Sequence, residues 1–471
     1  MDAAYPLPLG KEEANLGSGV RSAPVPCFCR HTCRGKEART PTPYTDFLDF
    51  KGKGALSACS AHAKKLAKPM KTDLIDVFDE YADLADGVQQ RIIEIDNKPH
   101  RAKRLRPFRT REAAEFLQIS DSYLRRLVLE DPSLPQGTQI GKTQRGFDLS
   151  EINSIRKELH TRTGDERYAV GRRSKQGDKL QVIALANFKG GAAKTTTAVH
   201  LGQYLALCGY RVLLVDLDSQ ASATSLFGFH PDEDIAEDKT LYPFLRGDLD
   251  GLQSLVRPTY WPNLDLLPAN LGLYRIEFEL PVKQLRVPHF QFWRLLERGW
   301  ASIDDRYDVV ICDCPPSLGY LSINAIFAAT ALLVPAPPSM LDFASTGRFF
   351  RMMSDTLRDI ADVESGPPKQ LDFVRILITK YNTTDRNHQR IAAWMMSTFA
   401  DRLLDEKMAI TTALDSAGNL KRTLYELEPD NGRRSHERGL QFLNRMNAEI
   451  ERLIVAEWCG RAGKREQQDA A

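Results

Sequence analysis

From residue 181 to residue 378 the chain alternates short, continuously apolar runs with helical stretches, and this alternation limits the fold more than any other feature. The runs are QVIALANF, RVLLVDLD, NLDLLPAN, YDVVICDCPP, ALLVPAPP and FVRILITKY, followed by MAITTAL at residues 408–414. Runs that lack polar alternation belong to strands buried on both faces, and the helices between them are what covers those faces. The expected fold class is therefore α/β, with a parallel sheet between helical layers. A long amphipathic stretch, ERGLQFLNRMNAEIERLIVAEW at residues 437–458, ends this body and is expected to pack on it rather than lie on a membrane.

The first of these strands runs into NFKGGAAKTT, residues 187–196, which departs twice from the usual phosphate-cradling loop. That loop has Gly, four free positions, then Gly-Lys-Ser/Thr; here Phe188 and Ala193 stand where the glycines are expected. The setting is nevertheless right: a strand, a loop over 189–194, and a helix opening at about Thr195. Backbone N–H groups of Gly190, Gly191, Ala192, Ala193 and the first helical turn through Thr196 are expected to face a bound phosphate, where the helix dipole favours negative charge. Gly190 and Gly191 let the backbone approach oxygen atoms closely. Lys194 would reach the β- and γ-phosphates, and the Thr195 hydroxyl would face magnesium. Two later strands end in acids, Asp216 and Asp218 in RVLLVDLDSQ and Asp313 in VVICDCPPS. Ligands of open α/β sheets bind at the carboxyl ends of strands, so these acids should converge on the loop as a magnesium–phosphate centre.

The region before residue 180 is of another kind. Residues 1–69 are rich in Pro, Gly, Ser and Ala without helical or strand period, and are expected to be a poorly ordered or mis-assigned extension before a start at Met70. Their Cys27, Cys29, His31 and Cys33 lack the ligand spacing of a zinc site, and Cys59 lies apart. From residue 72 to 95, Leu74, Val77, Phe78, Tyr81, Leu84, Val88 and Ile92 recur at helical spacing on an acidic helix, read as a packing or dimerising element within 70–97. The basic run KPHRAKRLRPFRTR at 98–111 has seven Lys or Arg and no acid. FRTREAAEFLQISDSYLRRLVL then reads as a helix-turn-helix: Thr110 caps the first helix, Ala113, Ala114 and Leu117 face inward, Gln118-Ile119-Ser120 form the joint, and Asp121 opens the second helix. GTQIGKTQRGFDLSEINSIRKEL adds a Gly-punctuated wing and a helix capped at Ser150, like the MerR-like winged domains. Residues 98–160 are thus expected to bind DNA through Arg104, Arg109, Ser122, Tyr123, Arg125, Arg126, Lys142 and Arg145. A polar linker at 161–179, the main domain at 180–460 and a tail at 461–471 complete the division.

Composition narrows the class. The chain has 471 residues, 42% hydrophobic and 27% charged, with net charge +2. It has no apolar run long enough to span a bilayer and no secretory start, so a cytoplasmic protein is expected. Cys208, Cys312, Cys314 and Cys459 read as reduced core residues.

The set Lys189-Gly-Gly-Ala-Ala-Lys-Thr-Thr, Asp216-Leu-Asp218-Ser-Gln and Asp313-Cys-Pro-Pro resembles the deviant Walker ATPases of the ParA/MinD group. With the DNA reader in front, residues 70–460 resemble the large ParA-type partition proteins, in particular the RepA partition ATPases of RepABC plasmids. ANFKGGAAKTTTAVHLGQYLA, LPANLGLYRIEFELP, CDCPPSLGYLS and KRTLYELEP carry the likeness. The resemblance implies weak hydrolysis of ATP to ADP with Mg2+, stimulated by DNA and a ParB-type centromere-binding protein. It implies an ATP-sandwich homodimer in which Lys189 reaches the partner subunit's phosphates, Asp218 orients the attacking water, Asp216 lies near magnesium and Asp313 is the Walker B acid. Thr379 and Tyr381 match the base-binding edge.

It further implies a specific operator, autorepression of the protein's operon and nonspecific binding to nucleoid DNA. Arg386, Arg390, Lys421 and Arg422 are candidate contacts for that nonspecific binding. Two winged domains in one dimer predict a two-fold operator with half-sites about one helical turn apart, or a multiple of it. The competing class is a repressor whose ATPase-like domain binds nucleotide without hydrolysing it, which would need none of Lys189, Asp218 or Asp313. The family commonly has Gly at position 193; if that position needs positive φ, the methyl of Ala193 is expected to cost about 1 kcal/mol in binding or turnover. Ser219, where the family has Pro, is a minor departure.

Overall fold

The computed structural model describes residues 73–96, 103–140, 144–171, 173, 178–364, 369–428 and 434–469. Residues 1–72, including the expected start at Met70, lie outside the described residues, as does Lys142. The chain forms two units, residues 1–89 and 90–471. Helix α1 (Leu74–Asp96) begins in the first unit and has the expected acidic, amphipathic character. On its apolar stripe, Leu74, Phe78, Tyr81, Leu84 and Val88 are exposed among the described residues.

In the second unit, β1 (Phe108–Arg109) leads into α2 (Thr110–Phe116), and a tight joint with Gln118 at φ 55° turns the chain into α3 (Asp121–Glu130). The wing is β2 (Thr138–Ile140) paired antiparallel with β3 (Gln144–Phe147), which also pairs β1, and α4 (Leu149–Thr163) comes next. Ala113, Ala114, Leu117, Leu124, Leu127 and Val128 are buried, as the helical spacing predicts. The caps differ from the expectation. Thr110 is the first helical residue, and its hydroxyl donates to the Arg145 carbonyl (3.3 Å); the α2 start is held by the Arg109 N–H donating to Glu112 (2.9 Å). Asp148, not Ser150, caps α4 by accepting the Glu151 N–H (2.8 Å). Closely spaced Ser, Thr and Asp residues are all competent caps, and which one serves depends on where the backbone leaves extended geometry.

The main sheet has strand order β10-β9-β4-β8-β5-β7-β6. Its strands are β4 (Gln181–Leu185), β5 (Val212–Asp216), β6 (Arg257–Pro258), β7 (Leu264–Leu267), β8 (Val309–Asp313), β9 (Ala331–Ala336) and β10 (Phe373–Ile378). All pairs are parallel except β6 with β7. Successive side chains feed two cores: Ile183, Leu185, Leu214 and Ile311 one way, Val182, Ala184, Val215 and Cys312 the other. The register sets Asp216 opposite Asp313 and Leu185 opposite Asp313, so the phosphate loop and both acids emerge at one sheet edge. MAITTAL forms no strand. Ala409 makes only a single bridge to Tyr381, and Thr411 caps α11 (Thr412–Asn419) by accepting the Leu414 N–H (3.2 Å).

The helices that cover the sheet include α5 (Lys194–Leu207), α6 (Ser222–Leu226), α7 (Ile276–Arg286), α8 (Tyr320–Ala328), α9 (Met340–Val363) and α10 (Arg386–Phe399). The last helix, α12, runs Arg434–Asp469, so it includes most of the expected tail, and it packs through Leu443, Met446, Ile450, Ile454 and Trp458. No described helix is long and apolar enough to cross a membrane. Cys208, Cys312 and Cys314 are buried, whereas Cys459 is exposed.

The winged domain shares one continuous core with α5 and α12. Arg156 of α4, wholly buried, donates to the carbonyls of Phe116 (3.0 Å) and Leu207 (2.7 Å), the last residues of α2 and α5. C-terminal carbonyls have no partner within their helix, and a buried guanidinium supplies the donors and a favourable charge for both. The stretch read as a linker is laid on the body: Tyr168 is buried, the Gly171 N–H donates to the Gly209 carbonyl (3.0 Å), and the Arg173 guanidinium pairs with Asp304 (3.0 Å).

Candidate nucleotide site and nucleic-acid interface

The loop between β4 and α5 rims a cleft of about 610 Å3 lined by Gly190 through Thr196, Asp218, Gln220, Ser222, Ser225, Leu226, Pro316, Lys380, Gly418 and Lys421. Gly191 (φ 72°) and Ala193 (φ 67°, ψ 30°) are both left-handed, a region that glycine enters freely and alanine does not. The sequence-based condition for strain at Ala193 is therefore met. Lys194, almost fully buried, donates to the carbonyls of Asn187 (3.2 Å) and Lys189 (3.4 Å), curling over the loop it would otherwise extend beyond. Burial lowers its pKa; Asp313, Cys314 and Asp218 oppose that shift.

Asp313, at the end of β8, is wholly buried, and neither of its carboxylate oxygens has a hydrogen-bond partner. Burial first, and the neighbouring Asp216 second, raise its pKa well above the ordinary 3.8, while Thr195 and Lys194 lie near enough to pull it down. A buried carboxylate with so little compensation is a costly arrangement unless a cation completes it. Thr195 with Asp313 thus fits a divalent cation held by oxygen. Asp216 is better served. Its Oδ2 accepts the Thr224 N–H (2.9 Å) and hydroxyl (2.7 Å), its Oδ1 accepts the Asp218 N–H (3.2 Å), and burial pushes it up to about 6. It thereby fixes α6 to the end of β5. Asp218 is half-buried at the cleft wall, accepting the Gln220 N–H (3.0 Å).

The remaining expected nucleotide residues lie outside the lining. The Thr379 hydroxyl, buried, donates to the Ala192 carbonyl (2.9 Å) and so holds the loop from below; Tyr381 pairs through its backbone with Met408 and Ile410; Lys380, between them, is the residue that reaches the cleft. Lys189 is exposed and its ammonium pairs with Asp342 (3.4 Å) in the first turn of α9. It is not among the residues lining its own chain's cleft. Gln220, Ser222 and Ser225 were legible only as the continuation of the Asp216-Asp218 run, and Asp342 had no signal in the sequence. Lys421, read as a candidate for nonspecific DNA contact, stands at the cleft wall.

On the winged domain, a groove of about 440 Å3 runs between α3 and the wing, lined by Arg109, Thr110, Arg111, Arg125, Val128, Leu129, Gln144, Arg145 and Phe147. Of the expected contacts, Ser122, Arg125, Arg126 and Arg145 are exposed and Tyr123 and Arg109 half-exposed; Arg104 is exposed on the segment before β1. Arg125 pairs with Asp121 (3.0 Å), Arg126 lies over the Tyr123 ring at 5.5 Å, and Arg145 donates to the Gln136 carbonyl (3.2 Å). Arg111 also lines the groove, a placement that nothing in the sequence distinguishes from the other cations of its basic run.

This geometry makes two outcomes testable. Ala193→Gly removes a left-handed alanine worth about 1 kcal/mol of strain, so ATP turnover is expected to rise or stay unchanged; a clear fall in phosphate release would contradict it. Asp313→Asn removes a carboxylate whose folded pKa is raised, a group that costs stability progressively as pH rises above its ordinary 3.8. The nucleotide-free variant is expected to equal or exceed wild type in urea unfolding, by a margin that grows with pH, and to lose stabilisation by Mg2+ with ATP. Lower stability of the variant at every pH would contradict it.

Comparison with known proteins places this architecture. Residues 180–362 match a family described as an AAA domain. A relative named Putative replication protein A from Sinorhizobium fredii is 42% identical over 369 residues, 76% of this chain and 89% of its own length. Chromosome partitioning protein ParA of Caulobacter vibrioides is 32% identical over 251 residues, 53% of this chain and 88% of its own. A solved structure titled Partition Protein, 18% identical, covers 80% of this chain and 99% of its own with a TM-score of 0.55, a likeness of fold. The chain belongs to the family of these relatives, the ParA-type P-loop partition ATPases.

Proposed function

We propose that the protein is an ATP-dependent DNA partition ATPase of a low-copy plasmid or secondary replicon, working as a dimer that encloses two nucleotides. The observation that carries the reading is the separation of the two loop lysines. Lys194 lines the cleft, near enough to the buried Asp313 for their charges to act on one another, while Lys189 is exposed outside it and pairs with Asp342. A cation that cannot serve its own cleft is placed to serve another subunit's.

In this reading the loop N–H groups and Lys194 bind the triphosphate, and Thr195 and Asp313 hold Mg2+, with Asp216 behind them fixing α6. Magnesium held there would supply charge neutralisation to the triphosphate. Asp218 orients the attacking water, and Lys189 of each subunit adds positive charge at the partner's γ-phosphate. Hydrolysis removes that phosphate and with it the contact that favours the dimer, so affinity for DNA changes with nucleotide state. The winged domain reads an operator through α3 and the wing, giving autorepression. A ParB-type protein stimulates turnover, and nucleoid DNA is the nonspecific surface on which a cytoplasmic protein of this kind works. Helix α1 adds a second dimerising surface through its exposed stripe.

Sedimentation tests the reading. With Asp218→Ala to block turnover, saturating ATP and Mg2+ are expected to give a dimer, and Lys189→Ala added to it a monomer with nucleotide affinity within about twofold, since a lysine outside the cleft contributes little to ground-state binding in its own chain. A monomer in the Asp218→Ala chain alone would refute it.

A further inference from the structure

Lys103 belongs to the basic run that leads into the winged domain, yet it is not a surface cation: its side chain is four-fifths covered, with 20% of it exposed. Its ammonium donates to the carbonyl of Leu226 (2.6 Å), to the carbonyl of Lys421, and to Glu426 (3.3 Å), which uses all three of its N–H bonds. Leu226 is the last residue of α6, and Lys421 lies two residues beyond the end of α11; both line the nucleotide cleft. Carbonyls at helix ends lack partners within the helix and attract a cation, so one ammonium gathers two walls of the cleft. Glu426 is itself fixed, accepting from the Tyr260 hydroxyl (2.5 Å) and the Thr423 N–H (2.6 Å). Gly228 (φ 88°) lies against the lysine stem, where a Cβ would come within 3.1 Å of Lys103 Cδ.

The chain just beyond Lys103 is firmly held. Three residues on, the Arg106 guanidinium donates to the Tyr425 carbonyl (2.9 Å) and clamps Glu112 of α2 (2.6 and 3.0 Å). A further polar tie between the winged domain and the ATPase body, Arg156, grips the C-terminal end of α5, one helix length of about 20 Å from the phosphate loop. One tie is thus remote from the cleft and the other built into its wall.

We propose that Lys103 is a positioning residue that conveys occupancy of the nucleotide cleft to the DNA-reading domain, through the carbonyls of Leu226 and Lys421 on one side and the Arg106–Glu112 clamp on the other. This rests on the reading of the cleft as a nucleotide site. Helix α6 comes after the Asp218 loop by way of a left-handed Ala221 (φ 51°), so a ligand that draws in Ser222 or Ser225 displaces the Leu226 carbonyl, and Lys103 moves with it. Arg156 serves as the pivot about which the winged domain answers.

Hydrogen exchange in the full chain with and without ATP and Mg2+, using Asp218→Ala as the reference protein, tests the proposal. In the reference, exchange is expected to change at 190–197, at 221–228 and at 104–117. With Lys103→Met added, which keeps the stem and loses the donors, the first two segments respond as before, nucleotide affinity stays within about twofold, and the response at 104–117 disappears. Should that variant fail to fold, Glu426→Gln is expected to cut the 104–117 response at least about twofold by removing the charge that compensates the buried ammonium. An undiminished response at 104–117 in these variants overturns the proposal, as does a reference protein that responds at 190–197 but not at 104–117. A reference protein that responds nowhere, 190–197 included, overturns the nucleotide reading and this proposal with it.

Discussion

A buried carboxylate that the protein only partly compensates is the constraint on which the site depends. Asp313 stands at the end of a central strand with both oxygens unpaired, while Asp216, one strand over in register, takes three donors. Other buried charges have more partners: one Arg156 nitrogen donates to two helix-end carbonyls, and Lys103 meets Glu426 and two carbonyls more. Asp313 is therefore informative, since a poorly compensated buried carboxylate lowers stability and is kept where function requires it. The sheet register places it beside the phosphate loop, where a cation and a triphosphate together would meet its demand.

The same loop divides its cations by role. Lys194 bends over its own carbonyls inside the cleft, and Lys189 leaves for Asp342 at the surface. The left-handed Ala193 at the start of α5 is part of that geometry, because it turns the loop so that the helix begins at Lys194. The protein retains a methyl group in a backbone region that costs about 1 kcal/mol, a strain stored where the loop meets its ligand.

The fold was largely legible because its central strands β4, β5, β8 and β9 are almost wholly apolar, a pattern that suits a sheet covered on both faces. The helix pair α2 and α3 was legible for a related reason, since Ala113, Leu117, Leu124 and Leu127 keep helical spacing across a short joint. MAITTAL misled because Ile410, Thr411 and Thr412 are β-branched, whereas Thr411 is there as a helix cap, a choice fixed by where Tyr381 takes its backbone partners. The basic run misled differently. Its seven cations look alike in sequence, but Lys103, mostly covered, and Arg106, buried, make contacts with residues more than three hundred positions away, whereas Arg104 and Arg111 are exposed and Arg109 half-exposed. The pairing of Lys189 with Asp342 and the packing of Tyr168 and Arg173 are likewise long-range facts that no local pattern encodes.

The account turns on whether Lys189 acts on the neighbouring subunit's nucleotide. A mixture of two inactive variants decides it: Lys189→Ala keeps a complete cleft but lends nothing, and Lys194→Ala has a failed cleft but a lysine to lend. Phosphate release measured on the equimolar mixture, against each variant alone, is expected to recover, because the mixed dimer contains one cleft with both lysines. Release no greater than the sum of the separate variants, with mixed dimers present, would contradict the account.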